Sequence, residues 1–128
     1  MNYLTPEQVL FIHYLIIEET GGSHGIRDIP LLQSAVARPM AVFNDTDLYP
    51  DLFTKAAALM HSNIKNHPFV DGNKRTAVTA ASIFLLRNSF KITASNKELE
   101  QFTLKIASTN TGIEEIAKWF KKHSAQAD

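Results

Sequence analysis

The chain contains no cysteine, which excludes a disulfide framework, a thiolate zinc site and a cysteine nucleophile. It has no net charge, because 13 Lys and Arg balance 13 Asp and Glu. Proteins that bind nucleic acid non-specifically are normally basic, so we expect no direct nucleic-acid contact and only a local anion site. The longest apolar run, residues 9–17, falls well short of the ~20 residues that span a bilayer. No secretory signal is recognisable, and we expect a soluble, cytoplasmic protein without a membrane partner.

What remains is the composition of a folded domain. With 128 residues, 45% of them hydrophobic and 20% charged, the chain is predicted to form a single domain over residues 1–128. Its few helix breakers, five glycines and five prolines, lie between stretches with helical periodicity. A weak signal for extended structure is confined to residues 90–93. The predicted fold class is therefore all-α, with about six helices joined by short loops.

Capping patterns predict where these helices begin. Asp28 is placed to cap a short second helix, and Pro50 suits the first turn of the third. A fourth helix is expected from near Gly72 to about Asn88, and its alanines indicate close packing at the centre of the domain. Three segments have the capping-box pattern, which predicts helices that start at Thr5-Pro6-Glu7-Gln8, Ser95-Asn96-Lys97-Glu98 and Thr111-Gly112-Ile113-Glu114.

One segment, residues 67–76, does not fit a purely structural account. Pro68 disfavours a helical conformation for the residue before it, so the third helix should end near Asn66 and leave His67 extended. Phe69 is expected to anchor the loop in the core. Lys74 and Arg75 then lie in the first turn of the fourth helix, where each cation opposes the helix dipole at a cost of about 0.3–1 kcal/mol.

Two cations in this place make sense if an anion binds there. Free backbone N–H groups, the helix dipole and the side chains of Lys74 and Arg75 together predict a phosphate site, and Gly72 permits a positive φ or a close backbone approach. Asp71 would lie beside bound phosphates, where a lone carboxylate suits Mg²⁺. The cations and the dipole disfavour imidazolium, so we expect His67 to be neutral and able to act as a general base. These groups suit the transfer of a phosphorus group from a nucleotide to a hydroxyl.

The motif His67-Pro68-Phe69-x-Asp71-Gly72-Asn73-x-Arg75 resembles the signature of the Fic/Doc family. Segments upstream extend the similarity to the Doc branch, the death-on-curing toxins: Gly25-Ile26-Arg27-Asp28, Ala37-Arg38-Pro39, Asp47-Leu48-Tyr49-Pro50 and Lys55-Ala56-Ala57-Ala58. The resemblance implies the compact Fic helical domain, with the motif between two central helices. It also implies that His67 deprotonates the target hydroxyl, that Asp71 binds Mg²⁺ and that Asn73 and Arg75 hold nucleotide phosphates. The predicted phosphate-binding residues are therefore Gly72, Asn73, Lys74 and Arg75.

Lys74 departs from the adenylylating Fic enzymes, which have Gly-Asn-Gly-Arg at this place. Doc-like proteins share Asn-Lys-Arg, and the resemblance implies a kinase that transfers the γ-phosphoryl group of ATP. The implied acceptor is a threonine of elongation factor Tu, and the outcome is arrest of translation. Two alternatives stay open at this point: a Fic-type adenylyltransferase, and a catalytically inactive module that only binds an antitoxin.

The family's inhibitory helix carries Ser/Thr-x-x-x-Glu-Gly/Asn, and its nearest counterpart here is residues 111–115. Ile116 follows where Gly or Asn should stand, and Thr111 is better explained as a helix cap. The resemblance therefore implies inhibition in trans, by a Phd-like antitoxin whose disordered tail folds into a groove on the toxin. Outside the motif, His61 is expected to be a packed or capping histidine, and Phe43 and Tyr49 either dock the target or tuck onto the core.

Overall fold

The computed structural model describes residues 1–127 and contains six α-helices and two pairs of short strands. This architecture confirms the all-α expectation, with two small antiparallel additions. The helices are α1 (Pro6–Thr20), α2 (Ile29–Ala37), α3 (Leu52–Asn66), α4 (Asn73–Arg87), α5 (Asn96–Ser108) and α6 (Ile113–Lys122). Strand β1 (Val42–Phe43) pairs with β2 (Thr46–Asp47), and β3 (Phe90–Ile92) pairs with β4 (Ser124–Gln126). Across residues 1–127, none of the helices combines the length and apolarity that crossing a bilayer requires.

Most of the predicted helix starts are confirmed by hydrogen bonds. Thr5, Asp28 and Ser95 each accept a backbone N–H three residues further on. Two starts were wrong. The third helix does not begin at Pro50. Asp51 caps α3, because its carboxylate accepts the Thr54 backbone N–H and the Thr54 hydroxyl oxygen accepts the Asp51 N–H. Thr111 does not cap α6: Gly112 stands at the N-cap, and the buried Thr111 hydroxyl bonds that of Thr109.

The central helix is α3, which packs against α2, α4, α5 and α6. It is buried along almost its whole length, from Thr54 to Ile64 with only His61 partly exposed. Its alanines at 56, 57 and 58 are fully buried, as are Ala77, Ala80 and Ala81 on α4. Small side chains on both helices let their backbones approach closely, which fixes α3 against α4 and so fixes the loop that joins them.

The strands β1 and β2 form a tight hairpin whose tip residues, Asn44 and Asp45, both have positive φ. The buried amine of Lys55 holds its base through a 3.0 Å ion pair with Asp47. Arg38, at the end of α2, donates to the Tyr49 hydroxyl at 2.9 Å and to Nδ1 of His61 at 2.8 Å. Tyr49 is therefore tucked onto the core and His61 is a packed histidine.

The two ends of the described chain meet at the corner between α4 and β3. The backbone N–H of Asn2 donates to the Asn88 side chain at 2.9 Å, and the Asn88 amide donates back to the Asn2 carbonyl at 3.0 Å. The N–H of Ala127 donates to the carbonyl of Ser89 at 2.8 Å. This corner lies at the far end of α4 from the cations Lys74 and Arg75.

Candidate functional site

Residues 67–72, here called the motif loop, connect α3 to α4. Helix α3 ends at Asn66, as Pro68 predicted, but His67 is not extended. It takes the left-handed conformation, with φ 52° and ψ 55°. The prediction failed here because a long-range contact decides the turn, and not the proline alone.

That contact is made by Arg27, which precedes α2. Its Nε donates to the His67 carbonyl at 2.6 Å and its Nη2 donates to the Asn66 carbonyl at 2.7 Å. The backbone N–H groups of Arg27 and Asp28 both donate to the Pro68 carbonyl. The last carbonyls of α3 thus receive a guanidinium, a favourable partner at the negative end of a helix dipole.

Phe69 anchors the motif loop in the core, as predicted, and is almost completely buried. The ring of His13, on α1, stacks on it with centroids 3.7 Å apart. Asn73 holds the same residue from the other side: its Oδ1 accepts the Phe69 N–H at 2.9 Å and its Nδ2 donates to the Phe69 carbonyl at 2.8 Å. The Asn73 side chain is therefore committed to the loop, and what it offers a phosphate here is its backbone N–H.

The backbone of Asp71 is held by His13, whose Nε2 lies 2.9 Å from the Asp71 carbonyl oxygen. Since a carbonyl only accepts, this nitrogen carries the proton. Burial lowers the pKa of the His13 imidazole, against the opposing effect of this hydrogen bond. His13 is thus a buried support of the motif loop, through Phe69 and the Asp71 carbonyl.

The carboxylate of Asp71 is exposed at the surface of the loop. Its Oδ1 accepts the Gly72 N–H at 2.9 Å and its Oδ2 accepts the Ser23 N–H at 3.3 Å. Gly22 lies directly beside Oδ2, where any side chain at position 22 would collide with the carboxylate. Each oxygen accepts one N–H, so each keeps capacity for another partner.

Helix α4 begins without a side-chain cap, because the N-cap residue is Gly72. Its φ of 75° suits glycine, and a Cβ there would stand 3.1 Å from the Ile17 side chain. Its first turn carries the exposed cations Lys74 and Arg75 and no acidic residue. The helices α1, α2, α3 and α5 all have a side-chain oxygen at this place, so α4 offers an anion N–H groups that they do not.

One groove of about 1180 Å³ brings the predicted residues together: His67, Asp71, Gly72, Asn73, Lys74 and Arg75 all line it. The imidazole of His67 is exposed to the groove, and within residues 1–127 no hydrogen bond engages it. The groove continues along α4 and α5, between walls that include Val78, Ile83, Leu99 and Leu104. A free imidazole, a carboxylate and a cationic helix end in one groove can act on a phosphorylated ligand.

The donor set fits Mg²⁺ held together with phosphate. Among residues 1–127 no cluster of three or more His, Asp or Glu side chains could hold a metal by itself. Asp71 supplies a single exposed carboxylate beside the predicted phosphate site, and Mg²⁺ is commonly held by one or two carboxylates plus phosphate oxygens. The metal role of Asp71 and the phosphate roles of Gly72, Asn73, Lys74 and Arg75 stay predictions.

Two residues of the site were missed from the sequence. The sequence gives His13 no role, yet its ring contacts Phe69 and Asp71 from 56 and 58 residues away. Arg27 was noted as part of a resemblance and given no role. Neither has a local sequence signal, because both act through contacts between α1, the α1–α2 connection and the motif loop.

Residues 111–116, compared above with an inhibitory helix, begin α6 and do not line the groove. The groove is bounded by residues of α1, the end of α3, α4 and α5. Within the described chain, the segment with the nearest inhibitor-like pattern therefore lies outside the site that it would have to block.

Comparison with known proteins identifies the family of this chain. The Fic/DOC family model matches residues 3–85, which include α1, the hairpin, the motif loop and most of α4. A protein called Toxin Doc from Mycolicibacterium smegmatis is 40% identical over 118 residues, covering 91% of this chain and 88% of that protein. The Protein kinase doc of Escherichia phage P1 is 27% identical over 128 residues, covering the full length of both. The chain belongs to the Fic/Doc family, and these relatives both carry the Doc name.

Proposed function

We propose that this protein is the toxin of a toxin–antitoxin module and transfers the γ-phosphoryl group of ATP to a protein hydroxyl. One observation carries the proposal: the free imidazole of His67, the carboxylate of Asp71 and the cations Lys74 and Arg75 share one groove. Membership of a transferase family and relatives named as a toxin and a protein kinase support it.

In this proposal the phosphates of ATP lie at the first turn of α4. The backbone N–H groups there and the side chains of Lys74 and Arg75 bind and neutralise the phosphate oxygens. Gly72 leaves room for the close approach, and Asn73 acts mainly by keeping the motif loop in place. Asp71 would hold Mg²⁺, which would supply charge neutralisation and orientation of the transferred group.

His67 acts as the general base. Its unprotonated ring nitrogen accepts the proton of the target hydroxyl as the hydroxyl oxygen forms a bond to the γ-phosphorus. The bond from that phosphorus to the β,γ-bridging oxygen breaks, and ADP leaves with the electron pair. The products are a phosphorylated hydroxyl, ADP and a proton on His67 that passes to water. Positioned proton transfer of this kind typically contributes about 10²–10⁴-fold in rate.

Lys74 sets the polarity of the nucleotide in this proposal. Its exposed side chain adds a cation to the second residue of α4, on the wall of the groove. A glycine there would leave space for phosphates to pack against the helix turn, whereas lysine fills that space. We propose that ATP therefore binds with its γ-phosphate towards His67, and that AMP transfer is the competing outcome.

The proposed acceptor is a threonine of elongation factor Tu, so that phosphorylation arrests translation in the cytoplasm. The test is incubation of the protein with elongation factor Tu, Mg²⁺ and ATP carrying a radioactive phosphorus at either the α or the γ position. Transfer of γ label that is lost in His67→Ala is the expected result. The matched control is His123→Ala, which removes a histidine at the end of α6, outside the groove.

Other outcomes of this experiment contradict the proposal in different places. Transfer of α label would establish an adenylyltransferase and remove the role given to Lys74. Transfer of neither label would contradict the named target or the activity itself. Comparing the toxicity of the wild type and of His67→Ala in cells then separates these two explanations. An enzyme with a different target would lose its toxicity in His67→Ala, whereas the toxicity of an inactive antitoxin-binding module would not change.

We also propose that a Phd-like antitoxin inhibits the protein in trans. The groove is long, and its α4–α5 half has apolar and hydroxyl walls that ATP phosphates do not need. An amphipathic segment of the antitoxin fits these walls when it folds on binding. A peptide of that segment should bind the wild type tightly and Leu104→Asp weakly. Equal binding to both would place the antitoxin elsewhere.

A further inference from the structure

We propose that Arg27 is a positioning residue for His67, and that residues 22–28, the connecting segment, set the spacing between His67 and Asp71. The inference rests on the proposed function, in which these two groups act on the same phosphoryl transfer. The connecting segment joins α1 to α2 and runs beside the motif loop, with an antiparallel bridge between Ile26 and Phe69.

The guanidinium of Arg27 is arranged as a clamp on the end of α3. Two of its nitrogens donate to two successive carbonyls, those of Asn66 and His67, at 2.7 and 2.6 Å. It forms no salt bridge within residues 1–127, and these two carbonyls accept the hydrogen bonds that its side chain donates there. A planar fork with fixed N–H directions holds both carbonyls in one relative orientation, which a single ammonium does not do.

His67 needs such a clamp because its backbone has an unfavourable conformation. A left-handed conformation costs a non-glycine residue roughly 1–2 kcal/mol, and a residue before proline is pushed towards extended structure. Release of the carbonyls would let φ and ψ relax and would swing the imidazole away from its present direction. A general base must reach its proton at hydrogen-bond distance, so such a swing acts on the reaction directly.

The same segment holds the other end of the motif loop. The Val70 N–H donates to the Gly25 carbonyl at 2.9 Å, and the Ser23 N–H donates to Oδ2 of Asp71 at 3.3 Å. Contacts at both ends of one short segment couple the position of the base to that of the carboxylate. Arg27 itself does not line the groove, so it acts through His67 and not on ATP.

The test compares Arg27→Ala, Arg27→Lys and Arg87→Ala in the γ-label assay. Arg87→Ala is the matched control: it removes an exposed arginine from the far end of α4, outside the groove. For Arg27→Ala we expect kcat to fall ~10- to 100-fold while KM for ATP stays within about twofold, since a misplaced group costs rate and not nucleotide binding. Arg27→Lys should recover only part of the loss.

Rescue by a small molecule separates positioning from simple loss of stability. Guanidinium chloride at about 10 mM is far too dilute to denature a protein, and it should restore part of the kcat of Arg27→Ala. It should restore nothing in His67→Ala. Wild-type kcat in Arg27→Ala, a change in KM instead of kcat, or a loss that guanidinium does not restore would each overturn the inference.

If the wild type transfers no label, the proposed function fails and the inference is still decided by the His67 ring itself. Its proton NMR resonance is identified by its absence from His67→Ala. Arg27→Ala should shift or broaden that resonance and Arg87→Ala should leave it unchanged. An unaltered His67 resonance in Arg27→Ala would show that the clamp does not orient the ring.

Discussion

Replacing Asn73 with alanine tests whether this side chain holds the motif loop or a phosphate. In the structure it makes two hydrogen bonds to the backbone of Phe69, and it is buried together with that residue. If these bonds are its main role, the substitution destabilises the whole domain, because Phe69 anchors the loop in the core. If its main role is phosphate binding, the substitution hardly changes the stability of the free protein.

The expected magnitude follows from the two groups that lose their partners. The N–H and the carbonyl of Phe69 would be left unpaired, each at a cost of about 1–3 kcal/mol. Water that enters the vacated space recovers part of this cost, so we expect Asn73→Ala to lower the free energy of unfolding by about 2–4 kcal/mol. At roughly 4 °C per kcal/mol for a domain of this size, the melting temperature falls by about 8–16 °C.

Urea unfolding followed by circular dichroism measures the free energy, and calorimetry measures the melting temperature. Asn96→Ala is the control, because this asparagine is exposed in the first turn of α5 and its side chain makes no hydrogen bond within residues 1–127. It should change stability by less than about 0.5 kcal/mol. The reasoning is refuted if Asn73→Ala is as stable as this control while it loses the stabilisation that added phosphate gives the wild type.

Two further predictions concern the anion site and the packed histidines His13 and His61. Phosphate bound at the N-terminus of α4 should raise the free energy of unfolding by about 1.4 kcal/mol at tenfold its Kd, and with it the melting temperature. Arg75→Ala should lose this gain while Arg87→Ala keeps it; an equal gain in both variants would place the anion elsewhere. Burial lowers the pKa of His13 and, with Arg38 and Lys65 nearby, that of His61. The unfolded chain therefore binds more protons than the folded one below about pH 6.5, so stability should fall as the pH drops from there and level off once it is below the folded pKa values. Urea unfolding at a series of pH values should show a shallower fall in His61→Gln, and an unchanged slope would contradict the assignment.

Local chemistry was enough to predict much of the fold. Thr5, Asp28 and Ser95 cap helices because their oxygens reach an N–H within the same turn, and a sequence window contains that whole interaction. Pro50 and Thr111 misled because in each case the next residue is the N-cap: Asp51 exchanges hydrogen bonds with Thr54, and Gly112 precedes α6. The hairpin tip Asn44-Asp45 did have a recognisable signal, since asparagine and aspartate tolerate the positive φ that such turns need.

The candidate site divides in the same way. Residues 67–76 are contiguous, so the histidine and carboxylate of the motif loop and the two cations of α4 could be identified together from ten residues. The conformation of His67 and the support of Phe69 could not, because Arg27 and His13 reach them from 40 and 56 residues away. For Asn73 the sequence suggests a phosphate-binding side chain. In the structure this side chain is buried and makes two hydrogen bonds to the backbone of Phe69 in the motif loop.

Asn2 and Ala127 both bond the corner between α4 and β3, and this proximity has a consequence for engineering this protein. Since these residues bond the neighbouring Asn88 and Ser89, a short linker between them should close the chain into a ring with little strain. New ends could then be opened at the exposed hairpin tip between Asn44 and Asp45. Such a circular permutant would keep every contact of the motif loop, and it would be synthesised with α3 and α4 first. Measuring how this permutant folds would show whether α3 and α4 pack together before α1 and the connecting segment contact them.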